Sequence, residues 1–172
     1  SISMVMFNKF GIPNGKLAFW TSIISFPWVL KMFWGPLIDH WGTKRNWILG
    51  CQMAILALFL TLSWQVSLEV PWTVPLGILL VMAFMSASYD IAADGFYMLA
   101  LKEDEQSYFI GIRSTAYRLA PLFLPTFLYF MADGFEKGGL TTPQIWSKTL
   151  LLGASIYALG LIISAFFVPK PK

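Results

Sequence analysis

Charged residues are scarce in this chain of 172 residues, where they make up 12% of the sequence against a usual share of about 25%. Hydrophobic residues reach 57%, and the mean hydropathy is +0.65. A soluble domain of this size could not keep so much apolar surface out of water, which excludes a disordered chain and most cytosolic enzymes. The composition predicts a membrane protein, with room for roughly five or six spans at about 20 residues each.

Residues that serve catalysis and metal binding are just as scarce. Cys51 is the single cysteine and His40 the single histidine. One cysteine cannot form an intramolecular disulfide, and because Cys51 lies in an apolar run we expect it to pack as a small core residue. His40 has neither a cysteine nor a second histidine near it. The sequence therefore indicates no metal site, no cofactor and no enzymatic activity. With no basic run longer than two residues, the net charge of +3 fits loops at a membrane surface and not a nucleic-acid site.

Long apolar runs divide the chain into five spans. Lipid offers no hydrogen-bond partners to the backbone, so such runs must be helices, and we expect an all-α membrane protein. The predicted spans are 17–38, 46–64, 72–101, 108–132 and 149–168. Residues 1–7 are too short to span and are typical of the end of a cut helix, so we expect a piece of a longer protein. Charged turns are predicted at 39–45 and 102–107, and a long loop at 133–148.

Basic residues give little indication of sidedness. By alternation, the two charged turns and the C-terminus share one side of the membrane. That side holds Lys44, Arg45, Lys102, Lys170 and Lys172, and the other side holds Lys9, Lys16, Lys137 and Lys148. A difference of one is a small positive-inside bias, and it favours a cytoplasmic position for the charged turns.

Five ionisable residues lie inside the predicted spans: Lys31, Asp90, Asp94, Arg113 and Arg118. Each would cost roughly 2.5–3.5 kcal/mol at a lipid-facing helix centre, so we expect them to face a bundle interior or an aqueous cavity. They occupy the first, third and fourth spans and avoid the second and fifth. This division predicts cavity-lining helices and peripheral helices.

The depth of these charges predicts which of them meet. At 1.5 Å of rise per residue, Lys31 and Asp94 lie roughly 12 Å from the nearest charged turn, Arg118 roughly 16 Å and Asp90 roughly 18 Å. Arg113 lies shallower, where its side chain could reach the interface. We therefore expect Lys31, Asp90, Asp94 and Arg118 to meet on one side of the membrane.

Helical faces group the same charges with tyrosines. Asp90, Asp94 and Tyr97 share one face of the third span, and Tyr117 and Arg118 adjoin on the fourth. The favoured interpretation is a polar cavity for a solute or for protons, while buried ion pairs that fix helix register remain the alternative. Because two nearby carboxyl groups do not ionise independently, Asp90 and Asp94 are a candidate proton carrier.

The turn after the first span resembles a family signature. It reads Gly-Pro-Leu-Ile-Asp-His-Trp-Gly-Thr-Lys-Arg over residues 35–45, and it is similar to the loop between helices 2 and 3 of the major facilitator superfamily. The matching positions are Gly35, Asp39, Gly42, Lys44 and Arg45, while His40 and Thr43 depart from the usual basic residues. The resemblance implies a gating loop, with Asp39 and Arg45 in the conformational gate.

Two further segments narrow the resemblance. Residues 86–97, with Asp90 and Asp94, resemble the fourth helix of AmpG-type muropeptide permeases and their acetyl-CoA transporter relatives. Residues 26–39 resemble their second helix. The fourth helix lacks the Arg-x-x-x-Gly pattern of many proton-coupled members. The resemblance implies the N-terminal six-helix half, with its first helix truncated, of a twelve-helix transporter, with helices 3 and 6 outside the cavity.

The implied function is secondary active transport of a polar or anionic, muropeptide-like or acetyl-CoA-like solute, by alternating access and with proton coupling. The implied site residues are Lys31, Asp90, Asp94, Tyr97, Tyr117 and Arg118. The expected partners are the lipid bilayer of a bacterial inner membrane, a small polar solute, and a second six-helix half or a second copy. The alternative is a non-transporting scaffold or a half-transporter subunit whose buried charges are structural.

Overall fold

The computed structural model describes residues 2–68 and 71–168, and in these ranges it is a bundle of six helices. They are α1 (Ile2–Lys9), α2 (Asn14–His40), α3 (Lys44–Ser67), α4 (Thr73–Ala100), α5 (Glu103–Lys137) and α6 (Thr142–Phe167). Within the described residues, α2, α3, α4 and α6 are long and apolar enough to cross a membrane. The predicted all-α membrane fold is confirmed. Lys170 and Lys172, which entered the count of basic residues, lie outside the described ranges.

Helix α5 is longer than the span predicted from its apolar run. It begins inside the predicted charged turn, where the Glu105 carboxylate accepts a hydrogen bond from the Lys102 backbone N–H at 3.1 Å. At its other end Asp133 and Lys137 form an ion pair at 2.7 Å, one helical turn apart. Capping and pairing of this kind extend a helix into water beyond its apolar run, which hydropathy does not register.

The loop predicted at 133–148 is therefore wrong, since residues 138–141 alone connect α5 to α6. Helix α6 begins with a capping box, in which the Gln144 side chain accepts from the Thr141 backbone N–H at 3.3 Å. Pro143 lies in its first turn, where a missing N–H leaves no hydrogen bond unmade. These local signals start α6 well before its apolar stretch.

The bundle centres on α3 and α4. Helix α3 packs along both α4 and α6, α2 packs along α4, and α5 packs mainly on α6. One core cluster includes Met6, Leu62 and Trp146 near the turn between α1 and α2. A second lies at the other end of the bundle, between Ile38, Ile48 and Ala92. We call this second end, with the turns after α2 and α4 and the end of α6, the motif end.

Polar side chains join α3 to α6 inside the apolar bundle. The Ser63 hydroxyl is buried and donates to the Ser147 carbonyl at 2.8 Å. Nearer the motif end, the Gln52 amide nitrogen donates to the Ser164 hydroxyl at 3.0 Å. Hydrogen bonds between membrane helices replace partners that lipid cannot supply, and they fix the register of α3 against α6.

We expect Ser63→Ala to weaken the α3–α6 contact, because the change removes a hydrogen bond between helices. Such bonds are worth about 0.6 kcal/mol on average, and unfolding by SDS in mixed micelles would measure the loss. Ser155→Ala is the matched control, since that hydroxyl is exposed and bonds to the Leu151 carbonyl of its own helix. Equal losses in the two variants would contradict the assignment.

Candidate functional site

The Asp90 carboxylate on α4 binds side chains from both neighbouring helices. Its Oδ2 accepts from the Lys31 ammonium of α2 at 2.6 Å. Its Oδ1 accepts from the Arg113 Nη2 at 2.6 Å and from the Tyr117 hydroxyl at 2.7 Å, both on α5. The Asp90 side chain is 13% exposed, so these bonds replace the water that a carboxylate would otherwise need.

Arg113 lies between two carboxylates and two aromatic rings. Its Nη2 also donates to the Tyr117 hydroxyl at 3.2 Å, and its Nη1 forms an ion pair with Asp94. The guanidinium carbon is 5.2 Å from the Tyr117 ring centroid and 5.7 Å from that of Tyr97. A guanidinium in this position uses its edges for the acids and its faces for the rings, which a lysine could not do.

Formal charges cancel within this group. Lys31 and Arg113 carry two positive charges, and Asp90 and Asp94 two negative ones. We call these residues, with Tyr117, the charge cluster. Pairing of this kind offsets the cost of holding ionised groups inside a membrane-spanning bundle. The cluster joins α2, α4 and α5 at one depth.

The structure brings together Lys31, Asp90, Asp94, Tyr97 and Tyr117 as the sequence predicts, but not Arg118. Arg118 is exposed. The depth estimate placed Arg118 beside Asp90, but in the structure Arg113 lies there. Two physical reasons explain the difference, one of depth and one of helical face.

The depth estimate counted from the wrong starting residue. Measured from Glu103, where α5 begins, Arg113 lies about 15 Å along the helix, and Asp90 lies about 15 Å from the end of α4 at Ala100. The face follows from spacing, since Arg113 and Tyr117 are four residues apart and share a side of α5. Arg118 is rotated by about 100° from Tyr117. The spacing of Arg113 and Tyr117 was the signal that could have identified the pair.

A cavity of about 470 Å³ adjoins the charge cluster. Its lining includes Trp28, Phe59, Ser86, Tyr89, Asp90 and Tyr157. Phe59 belongs to α3 and Tyr157 to α6, so these two helices also line this cavity. Aromatic rings with hydroxyl groups at their edges, next to fixed charges, suit an amphipathic polar solute.

The predicted gating loop holds the motif end together. Gly42 has φ of 80°, a left-handed conformation that favours glycine and turns the chain between α2 and α3. Lys44 forms an ion pair with Asp39, and its side chain crosses α4 at Gly95. A Cβ at Gly95 would lie 2.8 Å from the Lys44 Cε. The absence of a side chain at Gly95 therefore leaves room for Lys44 to cross α4.

Arg45 reaches the C-terminal end of α6. Its Nε donates to the Val168 carbonyl at 3.0 Å, and its Nη2 to the Ala165 carbonyl at 3.1 Å. The last carbonyls of a helix lack partners within it, and a cation is favourable there. The resemblance implies that Asp39 and Arg45 both act in a gate. In this structure Asp39 forms an ion pair with Lys44, and Arg45 caps α6.

We expect Gly95→Ala to displace Lys44 from Asp39, because a methyl group would occupy the path of the lysine. Gly77→Ala on the same helix is the matched control, since nothing lies within 4 Å of its added carbon and alanine favours a helix by about 1 kcal/mol. Unfolding measurements should place Gly95→Ala below Gly77→Ala. In a Lys44→Ala background the two should become alike, and a persisting difference would refute the steric explanation.

Arg113→Gln should destabilise the bundle far more than Arg118→Gln, because it removes the ion-pair partner of two partly buried carboxylates. Breaking a buried pair costs about 3–5 kcal/mol, and partial exposure reduces this to about 1 kcal/mol or more. Unfolding of the two variants in the same micelles measures the difference. Equal stability would mean that the Arg113 contacts contribute nothing to the fold.

Comparison with known proteins agrees with these observations. The chain is 28% identical to the anhydromuropeptide permease of Escherichia coli (strain K12) over 156 residues, covering 87% of this chain and 30% of that protein. It is 23% identical to the putative transporter AmpG 4 of Rickettsia felis over 141 residues, covering 77% of this chain and 32% of that protein. No solved structure matches.

The chain thus spans about a third of the length of these curated relatives. An uncharacterized protein of Haemophilus influenzae is 29% identical over 154 residues, again with 34% of its length covered. These relatives confirm the resemblance to AmpG-type permeases. The sequence profile of the Major Facilitator Superfamily matches residues 1–172. The chain is an integral membrane protein and belongs to the Major Facilitator Superfamily.

Proposed function

We propose that the chain forms the N-terminal half of a secondary active transporter for a polar or anionic solute of the muropeptide or acetyl-CoA type. The observation that carries the proposal is the charge cluster beside the cavity. Ionisable groups inside a membrane bundle are costly and mark solute or ion pathways. The names of the relatives, a permease and a putative transporter, support transport over catalysis.

Lys31 and Arg113 are the groups proposed to meet an anionic part of the solute. Both point to Asp90, which also lines the cavity. Carboxylates and phosphates bind guanidinium and ammonium groups well at a desolvated site. Arg118 is exposed on α5 and lies outside the charge cluster.

Alternating access requires a second set of helices. In transporters built from structural repeats, the solute binds near the membrane midplane between the repeats, and rocking of one against the other exposes it to each side. We propose that a second six-helix half or a second copy of this chain supplies the other wall. The proposed location is the bacterial inner membrane, with the motif end on the cytoplasmic side and with proton coupling.

A non-transporting scaffold or half-transporter subunit is the second candidate. The cancelling charges of the cluster favour it, because ion pairs that only fix helix register would also be balanced. The cavity favours transport, since purely structural pairs need no adjoining space of about 470 Å³.

Uptake into proteoliposomes tests the proposal. Two preparations are needed under an inward proton gradient: the chain within a protein that also supplies the second six-helix half, and the chain on its own, where two copies could pair. In at least one of them we expect accumulation of a labelled anhydromuropeptide or of acetyl-CoA above empty liposomes. Asp90→Asn should lower uptake by about tenfold or more, because it weakens the bonds that hold Lys31 and Arg113 at the cavity. Collapse of the gradient by a protonophore should abolish accumulation.

Asp133→Asn is the matched control for that experiment. Its carboxylate is 42% exposed and pairs with Lys137 at the other end of α5, so uptake should stay at the level of the unchanged chain. Uptake equal to that of empty liposomes in both preparations and with both solutes would favour the non-transporting scaffold.

A further inference from the structure

We propose that Asp94, and not Asp90, takes up the proton that accompanies an anionic solute, and that the solute anion replaces Asp94 at the Arg113 Nη1. This inference rests on the proposed function and specifies its coupling. It follows from an asymmetry between the two carboxylates of the charge cluster, and from the balance of charge within it.

The two carboxylates differ in how many groups hold them. Asp90 accepts from Lys31, Arg113 and Tyr117 and is 13% exposed. Asp94 pairs with Arg113 and is 34% exposed. Among the described residues, Arg113 is its ion-pair partner. Protonation of Asp90 would leave Lys31 and Arg113 without the anion they share, whereas protonation of Asp94 disrupts a single pair.

The balance of charge explains why a solute anion needs this proton. The cluster is formally neutral, so an added anion would leave an uncompensated negative charge in a partly desolvated site, which is unfavourable. When a proton joins an Asp94 oxygen, the ion pair with Nη1 is lost, and Nη1 can donate to the incoming anion. Two positive charges then face Asp90 and the solute, and the site is neutral again.

Arg113 is fixed in place for this exchange. Its Nη2 stays on Asp90 and Tyr117, and its faces stay on the rings of Tyr97 and Tyr117. Because these contacts do not involve Nη1, the guanidinium need not move when its partner at Nη1 changes. One proton on Asp94 is therefore taken up together with one negative charge bound at Nη1.

Other charged and titratable groups near Asp94 do not compete for this role. On the helices around the charge cluster, these groups include Lys31 and Asp39 on α2, Lys44 on α3, Tyr89, Asp90 and Tyr97 on α4, and Tyr117 on α5. Lys44 crosses α4 at the neighbouring Gly95, but it is paired with Asp39. Lys31 is bonded to Asp90. Protonation of Asp94 thus competes with its ion pair to Arg113.

Infrared spectroscopy of the chain reconstituted in lipid tests the proposal without any need for transport. A protonated carboxyl group has a carbonyl stretch that the carboxylate lacks. On acidification we expect a band that is absent from Asp94→Asn and retained in Asp90→Asn. Asp133→Asn corrects for exposed carboxyl groups. A band lost from Asp90→Asn and kept in Asp94→Asn would overturn the assignment.

Methanesulfonate serves as the anion probe, because it carries one charge and has no carbonyl group. At constant pH its addition should increase the Asp94 band. Above the pH at which the Asp94 band disappears, the affinity of methanesulfonate should fall by about tenfold per pH unit. Binding of one proton together with each anion requires this slope. In Asp94→Asn, which mimics the protonated acid, affinity should be independent of pH. An equal pH dependence in both would overturn the coupling.

If Asp94→Asn fails to fold, Asp94→Glu replaces it. This variant should keep a carbonyl band at a shifted frequency, and a band unchanged in position would count against Asp94.

Two outcomes separate this inference from the proposed function. Solute uptake that keeps its full proton dependence in Asp94→Asn would refute the inference and leave transport standing. The Asp94 band without any uptake would support the inference and refute transport.

Discussion

The bonds to Asp90 are the interaction on which the arrangement of α2, α4 and α5 depends. Helices in lipid gain little from burying apolar surface against each other, since the surrounding chains are equally apolar. A carboxylate that binds Lys31 on one side and Arg113 and Tyr117 on the other supplies a specific contact instead. It sets the depth and rotation of α2 and α5 relative to α4. Asp90 also lines the cavity, so the same carboxylate positions the helices and forms part of the candidate site.

The bundle has a rigid part and a part held by charges. Helix α3 packs along both α4 and α6, with small and polar residues at the α3–α6 contact. Helix α5, in contrast, packs mainly on α6 and reaches α4 through Arg113 and Tyr117. Charge pairs can change partners at little steric cost, whereas packed side chains cannot. Motion at this site is therefore expected of α5 and not of α3.

The sequence was enough to predict the features that depend on contact with lipid or water and not on tertiary contacts between side chains. Hydropathy located α2, α3, α4 and α6, and the cost of a charge in lipid selected Lys31, Asp90 and Asp94. What it missed depends on local and tertiary contacts. The starting residue of α5 is set by a cap at Glu105, and that start decides whether Arg113 or Arg118 meets Asp90. The partners of Lys44 and Arg45 are set by Gly95 and by the end of α6, which no local pattern identifies.

Arg45 also constrains the order in which the bundle can be completed during synthesis. Its partners Ala165 and Val168 lie 120 and 123 residues further along the chain. The ribosome synthesises α2, α3 and their turn long before these carbonyls. While α4 and α5 are inserted, the Arg45 guanidinium therefore lies at the membrane surface without these two partners. Only the arrival of α6 gives it a partner, and contacts this distant in sequence form late. The motif end is thus closed by the last helix described.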